Sequence, residues 1–61
     1  MIEWLYNPNA NSWELYMDEV FKDHIKVQYS LVASCNFYSR GQFMWADLDV
    51  AKKEMESWYA E

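Results

Sequence analysis

Twelve of the 61 residues are aromatic, and no other feature constrains the fold as tightly. They are Trp4, Tyr6, Trp13, Tyr16, Phe21, Tyr29, Phe37, Tyr38, Phe43, Trp45, Trp58 and Tyr59. A domain this short buries only about 60% of the surface its unfolded chain exposes. Each buried aromatic side chain removes roughly 150–250 Å² from water. One small core cannot hide the whole set. Part of it is therefore expected on a face that meets another protein or a second copy. The length corresponds to a single small domain, residues 1–61.

Composition narrows the class. A hydrophobic fraction of 52% argues against disorder. The net charge of −5 gives no footprint for a phosphate backbone, so direct nucleic-acid binding is not expected. A basic partner surface is the better complement. Cys35 is the only cysteine, so no internal disulfide can form and the cytosol is the expected setting. The apolar runs are too short to span a bilayer, and no basic-then-apolar signal opens the chain, so no membrane partner is expected.

Hydrophobic periodicity predicts an α+β domain: a three- to four-stranded antiparallel meander with one C-terminal helix packed on one face. Ile2–Tyr6 is apolar-rich, and Asn7-Pro8-Asn9-Ala10-Asn11 is the clearest turn signal. Trp13, Leu15 and Met17 then alternate with Glu14, Tyr16 and Asp18, which reads as a strand hairpinned to Ile2–Tyr6. A helix competes over residues 12–24. Trp13, Tyr16, Met17, Val20, Phe21 and His24 also fall at helical spacing, with Asn11 and Glu14 placed as a capping box. Asp18–Asp23 is charged and is expected to contain a turn.

The firmest strand alternates Ile25, Val27, Tyr29, Leu31 and Ala33 with Lys26, Gln28, Ser30, Val32 and Ser34. A turn centred on Cys35 returns it as Phe37–Ala46. That register sets Tyr29 opposite Gly41, Val27 opposite Phe43 and Ile25 opposite Trp45, which collects most of the bulk on one face. The other face then pairs Val32 with Tyr38 and Lys26 with Met44. Gly41 can alternatively form a bulge or a second turn that splits the strand. Asp47 is placed to cap a helix, with Leu48, Ala51, Met55, Trp58 and Tyr59 as its apolar stripe. Lys52, Lys53, Glu54 and Glu56 fall on its wet side. Trp45, Phe43 and Trp58 are the expected core aromatics. One helix covers one sheet face only, which leaves Tyr16, Val32, Tyr38 and Met44 as apolar members of an open face.

With Trp4, Trp13, Leu48, Ala51, Lys52, Glu56, Trp58 and Tyr59, the layout resembles a loose set of small bacteriophage and prophage accessory proteins. Their pattern has a Trp near the N-terminus and another after a turn. Aromatic-alternating strands and a capped Leu-x-x-Ala-Lys helix follow. The resemblance implies a sheet-plus-helix fold, the host cytoplasm and no catalytic residue. It also implies a phage-encoded inhibitor of a host protein or defence complex, such as an anti-CRISPR.

The residues themselves offer little chemistry. His24 and Cys35 are the only strong transition-metal ligands, and nothing gives a zinc spacing, so no metal is expected. Cys35 has no base beside it in sequence to activate a nucleophile. Helix capping accounts for Asp47 and Asp49. No phosphate loop and no hydrolase elbow is present. The reading is a non-catalytic, cofactor-free binding module. The partner is expected to be a host protein with a basic or aromatic-accepting surface. It would be met by Tyr16, Val32, Tyr38 and Met44, and by the acidic residues Asp18, Glu19 and Asp23. A homodimer stays open. The alternatives are an acidic DNA mimic and a self-assembling structural subunit.

Overall fold

The computed structural model describes residues 1–60 and has an α+β architecture. Five antiparallel strands lie in sequence order: β1 (Ile2–Asn7), β2 (Ser12–Met17), β3 (Val20–Ser30), β4 (Cys35–Arg40) and β5 (Phe43–Trp45). Helix α1 (Leu48–Tyr59) follows. Residues 12–17 form a strand, which excludes the helical reading of that stretch. The count exceeds the expected three or four strands because the chain turns at Gly41. That glycine takes φ +61°, a value that costs other residues energy. The expected strand Phe37–Ala46 is thereby split in two.

The other turns are set by short polar residues. The Asn7 side chain accepts the amides of Asn9 (3.0 Å) and Ala10 (3.4 Å), and Asn11 adopts φ 50°. Asp18 and Glu19 take φ 51° and 68° in a two-residue turn between Met17 and Val20. This sense of turn follows strand twist, and Asn-Gly or Asp-Gly is its usual sequence. In the Leu31–Ser34 loop, the Ser34 amide donates to the Ser30 carbonyl (2.8 Å) and the Ala33 amide to the Ser30 hydroxyl (3.1 Å).

That loop corrects the predicted register. Cys35 belongs to β4, and Tyr29 pairs with Asn36 rather than Gly41, a slip of five residues. An odd slip exchanges the two faces of a strand. Tyr38 therefore turns to the helix side, opposite Val27, while Phe37 and Ser39 turn to the open side. Phe43 and Trp45 still reach the helix side, because the Gly41 turn resets the alternation and pairs them with Arg40 and Tyr38.

Asp47 caps α1 as expected, accepting the amides of Asp49 (2.8 Å) and Val50 (3.4 Å). The fully buried core is Leu15, Ile25, Ala51 and Met55. Each large apolar side chain in it contributes about 1.5–3 kcal/mol. Trp4, Trp13, Met17, Tyr38, Trp45 and Tyr59 pack around it, partly buried. Phe43 and Trp58, expected in the core, stay substantially exposed, as does Tyr29. Phe43 of β5 and Trp58 of α1 pack on each other outside the core, ring centroids 4.9 Å apart.

Trp4 and Trp45 come from opposite edge strands, and their indole N–H groups donate to Glu56 (2.7 Å) and Glu54 (3.0 Å) of the helix. The Lys52 ammonium lies 4.1 Å from the Trp13 ring centroid. These helix residues, assigned to water by periodicity, serve as polar partners of tryptophans.

Candidate functional site

The sheet face away from α1 has a polar middle. By register it carries Leu5, Glu14, Tyr16, His24, Lys26, Gln28, Phe37, Ser39 and Met44. A bulge opposite Leu15 and Tyr16 adds Lys22 to β3 and brings Phe21 beside Tyr16, the rings edge-on at 5.7 Å. Glu14 accepts from Asn7 (3.0 Å) and from the Tyr16 hydroxyl (2.9 Å). These hydrogen bonds, that of Asn7 foremost, hold the Glu14 carboxyl below its ordinary range. The same contact raises the Tyr16 hydroxyl. Gln28 donates to the Ser39 hydroxyl (2.7 Å) farther along.

The end of the sheet at the β3–β4 loop is different. No charged residue occurs from Val27 to Ser39, or from Gly41 to Ala46. At the loop, Leu31 is 87% and Val32 99% exposed, and Met44 on β5 is 69% exposed. Between loop and β5 lies a groove of about 380 Å³, lined by Ser30, Ala33, Cys35, Asn36, Phe37, Met44, Trp45 and Ala46. Leu31 and Val32 thus hold aliphatic side chains in water beside an apolar concavity.

Charge gathers at the opposite end of β3. Its eleven residues separate the Asp18-Glu19 turn from the Leu31–Ser34 loop, a span of roughly 35 Å for an extended strand. Asp18 and Glu19 line a second concavity with Met1 and Glu3. The Met1 amino group donates to Asp18 (2.7 Å) and lowers its carboxyl.

The site residues expected from sequence are thus dispersed. Tyr16 and Met44 lie on the open face, but on β2 and β5. Val32 sits in a loop rather than a strand, because the turn falls at Leu31–Ser34. Tyr38 is not on the open face; it is half-buried against the core. Asp18 and Glu19 are exposed, as an acidic loop should be.

Asp23 is no loop residue. It is buried in β3 and accepts from Arg40 Nε (3.0 Å), Arg40 Nη2 (2.8 Å), the Tyr59 hydroxyl (2.6 Å) and the His24 amide (2.8 Å). Burial alone would raise its carboxyl. The hydrogen bonds from Arg40, Tyr59 and His24, with the Arg40 charge, outweigh burial and hold it below the ordinary range. The same contacts raise Arg40 and the Tyr59 hydroxyl. This knot joins β3, β4 and the end of α1.

Sequence reasoning missed Leu31, Cys35 and Phe37 at the uncharged end. The long run without charge was the available signal. Compared with known proteins, the chain matches no family model, no curated protein and no solved structure. Among the described residues, no group of three or more His, Cys, Asp or Glu side chains is placed to hold a metal, and no helix is long and apolar enough to cross a membrane.

Proposed function

We propose that the chain is a non-catalytic protein-binding module. In its most specific form, which rests on the resemblance to small phage accessory proteins, it inhibits a host protein or defence complex from the host cytoplasm. The observation that carries the binding reading is the exposed pair Leu31 and Val32 beside the apolar groove. Keeping these side chains in water gains the isolated fold nothing. A partner that covers them recovers their transfer free energy. The acidic turn at Asp18 and Glu19 lies at the other end of β3, too far to touch the same contact, so it acts on a basic partner's approach, through association rate.

A DNA mimic has less support. Glu14, Asp23, Glu54 and Glu56 already accept hydrogen bonds within the fold, which leaves fewer carboxylates free to stand in for phosphates. The test is capture from bacterial lysate on the immobilised protein, read by mass spectrometry, with Val32→Asp and an Asp18→Asn/Glu19→Gln variant in parallel. A specifically retained protein should be lost with Val32→Asp and only more salt-sensitive with the wild type than with the neutralised turn. Equal retention by folded Val32→Asp places the interface elsewhere. Steep loss of retention with salt, reproduced by neutralising the turn alone, favours the mimic.

A further inference from the structure

Strand β4 is longer than the strand that covers it. It runs Cys35–Arg40, but β5 pairs only with Tyr38, Ser39 and Arg40. Beyond Trp45 the chain leaves the sheet for the Asp47 cap and α1. The outer edge of Cys35, Asn36 and Phe37 therefore has no neighbouring strand. Alternate residues of an antiparallel strand send their N–H and C=O groups to opposite sides, so part of this main chain points out of the sheet. Among the described residues, no loop or cap backbone bond reaches these three positions. The resulting notch lies where a continued β5 would run, and it opens onto the groove walled by Phe37, Met44 and Trp45.

We propose that the notch is a strand-addition site for an extended, uncharged segment of another protein. The segment pairs with Cys35–Phe37 in place of a longer β5 and sets alternate apolar side chains into the groove. The inference rests on the protein-binding reading above and names what part of a partner is engaged. Charge selects this occupant: residues 27–39 and 41–46 carry none, and Arg40 is already paired with Asp23. An ionic segment would be desolvated there without a counter-charge. The open main-chain groups select a strand over a helix, since only an extended chain offers its own free donors and acceptors. The free edge is short, but over residues 35–37 it carries no Lys, Pro or bulge to discourage pairing.

The probe is a yeast-displayed library of random linear peptides, sorted on the protein and counter-sorted on Met44→Glu. Met44 is mostly exposed, so the variant should melt like the parent while carrying a charge into the groove. Ala33→Asp, in the exposed loop, replaces it if it melts early. Enriched peptides should be uncharged, with apolar residues at alternate positions. A synthetic representative should bind the variant more weakly by about tenfold or more. It should also shift the amide resonances of Cys35, Asn36 and Phe37. No enrichment, charged or unpatterned peptides, or equal binding to the variant overturns the proposal. So does a dimer, seen by sedimentation, that Met44→Glu dissociates. The two readings fail separately. A lysate partner lost with Val32→Asp but kept by Met44→Glu removes the notch and leaves the binding function. Peptides bound at the notch with no protein captured support the notch and remove the function.

Discussion

At the scale of single residues, Asp23 holds more of the fold than any exposed aromatic. A buried carboxylate is tolerable only when its lone pairs are filled, and Arg40, Tyr59 and the His24 amide fill them. Arg40→Met leaves the acid short of donors and should lower stability by about 1–3 kcal/mol in urea unfolding. The Asp23 carboxyl is held low in the folded state. Its stabilisation is therefore complete above the unfolded value of about 3.9 and is lost as pH falls through the folded value. Acid unfolding followed by circular dichroism should be less steep in Asp23→Asn than in the parent. Tyr38→Ala should now weaken the core, by about 1–3 kcal/mol because the ring is only half-buried. A thermal melt of Tyr38→Ala that matched the parent would show that the Tyr38 ring contributes nothing to the core.

At the scale of elements, local chemistry was legible wherever it was decided locally. The Asn7–Asn11 turn and the Asp47 cap lie where their side chains require them. Asp47→Ala should lower stability by about 0.5–2 kcal/mol, measured by thermal melting. The turn expected within Asp18–Asp23 falls at Asp18-Glu19; its exact place was not legible because Glu19 stands at left-handed φ where glycine is usual. Glu19→Gly should relieve that strain and raise stability by about 1 kcal/mol, read from the same melts. The β3–β4 register escaped the sequence for a different reason. Two registers both gather Ile25, Val27, Phe43 and Trp45 on one face, one through a continuous strand and one through a turn at Gly41. Alternation cannot separate them; the loop hydrogen bonds of Ser30 and Ser34 do.

At the scale of the molecule, a body of 38 × 24 × 17 Å carries one short helix on an eleven-residue central strand. The helix supplies two of the four fully buried side chains, Ala51 and Met55. A chain cut after Ala46 should lose cooperative melting and dispersed amide signals, since no other element can cover Leu15 and Ile25. By itself the sequence determined the class of fold, the single helix with its cap and the helix-side placement of Ile25, Phe43 and Trp45. Each follows from spacing or capping within a few residues. It also determined that apolar surface would be left over, because twelve aromatics exceed one small core. Only the tertiary structure decided which side chains those are. Whether Tyr38 faces the core, whether Asp23 meets Arg40 and Tyr59, and whether β4 outruns β5 all depend on pairing across the sheet. A five-residue slip in that pairing exchanges the faces of β4 without changing any local preference.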